Sequence, residues 1–354
     1  MRSFLFCLLL AFYSFTLQVE LHMASDSSGV TLKKIATLLG LNVGTVSRAL
    51  NDSPLVRPET RDQVLKVAAE LRYRPNKSAR MLVKGTQSHR FVAILIPNLA
   101  HQFFFGLLRG IVAEMDRAAC SLMVYHVGRD RESVFKRILD ETPDGLLVVA
   151  EKLSDEERSA LLRRRIPFVY VDYYSETDPC VFTDNRLGGM SAGRRLLEGG
   201  SKKPLYLGVT SDSQQQKLRI QGFKEALSVG GVPNVATRFT RMQEQASWAA
   251  SVELIRSGEC DGIFYFSDEM AYGGLRAIIE TGVKIPIIGY DDLPISELMG
   301  LTTVHQDSER MGSESARGIL EIIHDSGWGA TAPAVHKSNN LHVSLVPKLI
   351  VRKT

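Results

Sequence analysis

From residue 31 the chain reads TLKKIATLLGLNVGTVSRALN. Leu32, Ile35, Ala36 and Leu39 recur at the i, i+3, i+4, i+7 spacing of a helix that buries one face, with Thr31 placed to cap its start. Gly40 follows, a residue that adopts positive φ without penalty and ends helices. Asn42 can then cap a second helix, with Val43, Val46 and Leu50 as its apolar face and Gly44, Thr45, Ser47 and Arg48 pointing outward. A third helix from Pro58 carries Val64, Val67, Ala68 and Leu71. Two helices joined by so short a turn cross steeply, so the pattern predicts a helix-turn-helix inside a small three-helix core.

Beyond Ser88 the pattern changes to short apolar runs between helical stretches: FVAILIP from Phe91, SLMVYH from Ser121, GLLVVA from Gly145, FVYVD from Phe168, LYLGV from Leu205, GIFYF from Gly262 and IIGYD from Ile287. Strands without polar alternation are covered on both faces, which implies parallel sheets wrapped by helices. The fold class expected is an all-α helix-turn-helix headpiece followed by an α/β core of two doubly wound parallel-sheet lobes. Such sheets bind ligands at the carboxyl ends of their strands. Those ends carry Pro97-Asn98, Asp172, Ser267-Asp268 and Asp291-Asp292.

With 354 residues, 44% hydrophobic and 23% charged, the chain is long enough for two or three domains and is neither disordered nor fibrous. Charge is distributed unevenly. Residues 31–85 hold eleven Lys and Arg against four acids, a surplus of seven in a chain whose net charge is +4, so the remainder is slightly acidic. A basic block on a near-neutral body suits a polyanion. Cys7, Cys120, Cys180 and Cys260 form no CxxC pair, which argues against a disulfide framework or a structural zinc and for a reducing compartment. The run from Phe4 to Leu17 has the length of a signal-peptide core rather than a membrane span. No small-x-small cleavage site follows it cleanly, so Met23 is expected to be the true initiator. Intact-mass measurement of the native protein checks that expectation.

At these residues a resemblance becomes specific. TVSRALN, then TRDQVLKVAAELRYRPN, then SARMLVKG resembles the DNA-binding headpiece and hinge of the lactose-repressor/galactose-repressor family of bacterial regulators. That resemblance places base reading on Val43, Gly44 and Arg48. Val43 offers a methyl surface suited to thymine, and Gly44 offers no side chain. Thr45, Ser47, Asn51 and Thr60 are expected to bind phosphates and so fix register. Asn76, Arg80 and Leu82 fall in the expected hinge, 76–83, where Leu82 matches a minor-groove wedge that bends the duplex. Arg57 stands where the family commonly has a Ser capping the third helix, so that helix start is expected to be weaker or Arg57 to reach a phosphate.

The body, from about Arg90, resembles the family's periplasmic-binding-protein-like effector core through IPNLAHQFFFGLLRGI, DNRLGG, LRIQGF, SDEMAYGGLRAI, IIGYDD and TTVHQD. The resemblance implies effector binding by Asp172, Arg219, Asp291 and Gln306, with Ser267 at a strand end and Phe103 or Phe104 as an apolar wall. His101-Gln102 and Ser267 depart from the family's Asn-Pro and Asn. The residues alone leave Arg219 open to a second reading, a salt bridge between lobes. Trp248, beside Ala249 and Val252, reads as core rather than a sugar platform. No nucleotide, nucleophile or metal motif competes, so neither an enzyme nor a cofactor is expected. The domains expected are an apolar leader and irregular start (1–29), a DNA-binding domain (30–75), a hinge and linker (76–89) and a two-lobe effector and dimerisation domain (90–354). The implied protein is a cytoplasmic, nucleoid-associated repressor. It acts as a homodimer without a tetramerising tail, on double-stranded operator DNA, under a sugar or sugar-phosphate effector and with no membrane partner. The alternative is an exported periplasmic solute-binding protein.

Overall fold

The computed structural model describes residues 32–50, 53, 55–71, 90–325 and 341–354. Described residues up to Leu71 belong to one compact unit and those from Arg90 to another. The apolar leader, Met23 and the hinge at 76–89 lie outside the described residues.

In the first unit, α1 (Leu32–Leu39), α2 (Val43–Leu50) and α3 (Pro58–Glu70) enclose Ile35, Ala36, Val46, Ala49, Val56, Val64 and Ala68. Gly40 turns the chain between α1 and α2 at φ +62°, and Leu41 N donates to Ala36 O at 2.9 Å. A residue with a Cβ would be strained there. The apolar face of α2 is rotated from the one expected. Val46 and Ala49 are buried, Leu50 is half-buried, and Val43 is 44% exposed. Ala49 joins Val46 on the buried face, its small methyl allowing close helix approach, while Val43 stays exposed at the first position of the helix. Arg57 precedes α3 without a side-chain capping bond. Pro58 and Glu59 instead favour that start through a preset φ and a charge suited to the helix dipole.

The second unit holds two six-stranded sheets. The first lobe orders its strands β11 (His342–Leu345), β5 (Cys180–Thr183), β4 (Phe168–Val171), β3 (Gly145–Val149), β1 (Phe91–Ile96) and β2 (Ser121–His126), every pair parallel. The second orders β12 (Lys348–Ile350), β10 (Thr302–His305), β9 (Ile287–Asp291), β8 (Gly262–Tyr265), β6 (Pro204–Val209) and β7 (Ala236–Thr240), with only β12 antiparallel. The central strands are buried along their length, as their unbroken apolar runs require. Around the first sheet lie α4 (Phe103–Arg117), α5 (Arg131–Glu141) and α6 (Asp155–Arg164). Around the second lie α7 (Asn185–Glu198), α8 (Gln214–Val229), α9 (Glu244–Ser257), α10 (Asp268–Thr281) and the short α11 (Pro294–Met299). The chain then returns: α12 (Ser308–Asp325) packs on α4 and on β3, β4 and β5 of the first lobe.

Glycines set the closest helix contacts. A Cβ on Gly312 of α12 would stand 2.1 Å from Leu107 O of α4, and one on Gly189 of α7 would stand 2.1 Å from Arg219 O of α8. The second contact draws the α7 and α8 backbones together beside Arg219. Trp248 differs from its expected core role. Ala249 is exposed, Ser247, Ser251, Leu254 and Ile255 form the buried face of α9, and Trp248 lies half-buried under Arg276 with Nε1 donating to Glu280 at 2.9 Å.

Candidate functional site

At the start of α2, Asn42 Oδ1 accepts from Thr45 N at 2.7 Å and from Thr45 Oγ1 at 3.0 Å. Thr45 is therefore committed to the cap that ends the turn. Val43, Gly44 and Arg48 are exposed on the outward face, while Ser47 and Thr60 are half-buried. Arg48 Nε donates to Gly44 O at 3.2 Å. A Cβ on Gly44 would approach Arg48 NH2 to 3.4 Å and Asn42 Oδ1 to 3.3 Å, so its absence leaves the guanidinium room to lie along the helix. One helix end thus presents a branched methyl surface, bare backbone and a guanidinium, a set able to meet a thymine methyl and a guanine edge. Asn51, Asn76, Arg80 and Leu82 lie outside the described residues.

In the second unit the strand ends converge. Of the seven non-glycine residues with positive φ among the described residues, Ala119, Thr142 and Arg165 lie at helix ends, and the other four lie at strand ends: Ala150 after β3, Asp172 after β4, and Asp291 and Asp292 at the end of β9, with φ of 57°, 56°, 114° and 58°. Strain of this kind is held in place only by its surroundings and concentrates where ligands bind. Asp172, Arg219, Asp291 and Gln306 are each at most 6% exposed. Arg219 Nε donates to Asn185 Oδ1 at 2.7 Å and its NH1 to Phe266 O at 2.5 Å. Its guanidinium lies 3.6 Å from the centre of the Tyr290 ring and 4.7 Å from that of Phe266. Among the described residues no carboxylate stands within ion-pair distance of Arg219, so the interlobe salt bridge is not formed. Gln306 Nε2 donates to Asp291 Oδ1 at 2.6 Å.

The carboxylates are poised rather than satisfied. Asp172 Oδ1, Asp291 Oδ2 and Gln306 Oε1 are buried without a hydrogen-bond partner. Burial pushes Asp172 up to about 7, against the opposing pull of Arg219 and the Gln215 hydrogen bond. Burial also raises Asp291 well above its ordinary value, again opposed by Arg219. Asp268 contrasts with both: it accepts from Leu293 N, Ser296 Oγ and Thr303 Oγ1, so it braces the second lobe. Ser267 is fully buried as the cap of α10, accepting from Met270 N at 3.4 Å. Phe103 and Phe104 are buried in the first turn of α4, edge-on to each other and to His101.

Several polar groups that bridge the cleft carry little signal in the sequence. Gln215 Nε2 reaches across the cleft to Asp172 O, and lies 3.4 Å from Asp172 Oδ2. It precedes Arg219 by four residues, and that i, i+4 spacing on one helix face was the available signal. Gln214 and Tyr174 exchange hydrogen bonds between the lobes, N to Oε1 at 2.8 Å and Nε2 to O at 3.0 Å. Glu269 accepts from Gln102 N at 3.3 Å and faces His101 Nε2 at 3.7 Å. No local pattern marks these two latches, which exist only once the lobes face each other.

Residues 31–76 match the model for bacterial regulatory proteins of the lacI family, and residues 194–354 match that for a periplasmic binding protein-like domain. The regulator GntR of Pseudomonas aeruginosa is 30% identical over 308 residues, covering 83% of this chain and 89% of the relative. The chain belongs to the LacI family. GalS of Salmonella typhimurium is 28% identical over 316 residues, 83% of this chain and 92% of that one. The transcriptional regulator CelR, solved with cellobiose, superposes with a TM-score of 0.63 at 27% identity, over 91% of this chain and 99% of that one. This LacI-family member is thus a DNA-binding transcriptional regulator of the helix-turn-helix type with a periplasmic-binding-like core, and the relatives named here are regulators rather than enzymes. Among the described residues no helix is long and apolar enough to cross a membrane, and no cluster of His, Cys, Asp or Glu could hold a metal.

Proposed function

We propose that the chain represses transcription as a homodimer on a pseudo-palindromic operator, and that a sugar or sugar derivative bound between its lobes sets its grip on DNA. The observation that carries this reading is the set of buried, unpartnered acceptors on Asp172, Asp291 and Gln306 around the Arg219 guanidinium. Ligand hydroxyls donate to the carboxylates and to Gln306, while Arg219 donates in return. Phe103 or Phe104 supplies an apolar wall. In the headpiece Val43, Gly44 and Arg48 read bases, and Ser47, Asn51, Thr60 and the backbone around Thr45 hold phosphates. Asn76, Arg80 and Leu82 form the hinge contact, with Leu82 as the wedge. Two-fold symmetry in the protein mirrors that of the operator. The domain limits follow: 30–75 binds DNA, 76–89 links, and 90–354 binds effector and dimerises. The protein works in the cytoplasm at the nucleoid, without turnover of its ligand. An exported binder has no use for a headpiece with the outward face described above.

A thermal-shift screen of sugars and sugar phosphates on the intact chain, followed by operator selection with and without the best hit, tests the reading. The expected result is a hit that changes operator affinity about 5- to 150-fold. Asp172→Ala or Arg219→Ala should abolish its binding; unchanged affinity in both variants contradicts the pocket.

A further inference from the structure

A cavity of about 530 Å³ opens at the mouth of the cleft, outside the buried carboxylates. It lies between loop 150–152 and Tyr173 on the first lobe and Asp212, Ser213 and Lys217 at the start of α8 on the second. It adjoins the buried set directly. Tyr173 follows Asp172 in the chain, and Gln215 Nε2, which holds Asp172 O, is 3.5 Å from Ala150 O. Its size lies within the roughly 300–1,000 Å³ of ligand pockets.

The charges on its wall are largely matched already. Arg131 binds Glu157 through Nε at 2.8 Å and NH2 at 3.0 Å, holds Glu151 through NH1, and donates to Lys152 O at 3.0 Å. Lys217 Nζ stands 2.7 Å from Asp212. An incoming phosphate would have to displace a carboxylate from Arg131 or Lys217, whereas hydroxyl groups find donors and acceptors side by side. Tyr173 adds an apolar ring, half-buried and supported by Tyr170 at 5.2 Å between centroids.

We propose that this cavity is a second saccharide subsite, so that the effector is a neutral disaccharide or longer, its first ring held by Asp172, Arg219 and Asp291 and its second lying against Tyr173 beside Ser213 and Lys217. This rests on the sugar-effector reading above and goes further, since that reading is met equally by a single ring or a sugar phosphate.

Isothermal titration of the full chain with glucose, galactose, ribose, cellobiose, maltose, lactose and glucose 6-phosphate tests it. One disaccharide is expected to bind at least about tenfold tighter than its constituent monosaccharides. Tyr173→Ala should cancel that gain and leave monosaccharide affinity within about twofold. Because Tyr173 packs on Tyr170, the exposed Lys217 provides a second variant, Lys217→Ala, expected to reduce the disaccharide gain alone. Equal affinity for single and double rings, tighter binding of glucose 6-phosphate than of every disaccharide, or equal losses for both ring numbers in the two variants overturns the subsite. Absence of binding by any sugar overturns the effector reading itself, whereas tight monosaccharide binding without gain removes only the second subsite.

Discussion

Asp172 shows how burial alone changes the chemistry of one carboxyl group. Its carboxyl is 6% exposed and pushed up to about 7, so near neutrality the folded chain holds a proton that the unfolded chain releases above about 4. A raised acid pKa therefore makes stability fall as pH rises from about 4 to about 7. Asp172→Asn removes that loss, and calorimetry should find the variant more stable than the parent by about 1–3 kcal/mol at pH 8, with the gap closing toward pH 4. A gap of the same size at both pH values contradicts the assignment. A hydroxyl donating to Asp172 favours its ionised form, so effector affinity should rise with pH through the same window. Asp172 and Asp291 were legible as polar strand ends, and Arg219 and Gln306 were singled out only through the resemblance of LRIQGF and TTVHQD; the structure buries all four. Gln215, Asn185 and Glu269 were not legible, because each acts through a contact that only the folded lobes create. Val43 is the converse case: the apolar pattern put it inside, but as the first residue of α2 it lies beyond the packed face and stays exposed.

At the scale of elements, helix pairs that touch backbone to backbone hold the cleft in shape. Gly312→Ala would place a methyl 2.1 Å from Leu107 O, and neither helix backbone yields cheaply. Overpacking of this sort costs about 1–3 kcal/mol. Gly199→Ala is the matched control. Its Cβ would meet nothing closer than 3.4 Å, and its φ of −74° suits any residue, so its change should stay within about 0.5 kcal/mol. Denaturant midpoints for the two variants check this, and equal values would show that the α4–α12 contact is not so tight. The central strands β1, β3, β4, β6, β8 and β9, and the edge strand β2, were legible as apolar runs. The polar or short β5, β7, β10, β11 and β12 were not, since an edge or crossover strand needs few apolar residues and its pairing is decided by topology. The return of α12 to the first lobe likewise leaves no local trace.

Across the whole molecule, charge divides the labour. The surplus of seven positive charges in 31–85 makes phosphate contact, and hence salt sensitivity, a property of the headpiece, while the slightly acidic remainder has no comparable attraction for DNA. Operator affinity of the intact chain should fall steeply and linearly on a log-log plot against salt, and Arg48→Ala should weaken the selected operator far more than random duplex. Equal weakening on both would remove Arg48 from base reading. Fluorescence anisotropy of one selected operator, titrated in parallel with the intact chain and with residues 90–354 alone, puts the division to its most direct test. The expected result is tight, selective binding by the intact chain and none by residues 90–354. Retention of that affinity and selectivity by residues 90–354 would contradict a headpiece that holds DNA and a cleft that only adjusts the hold.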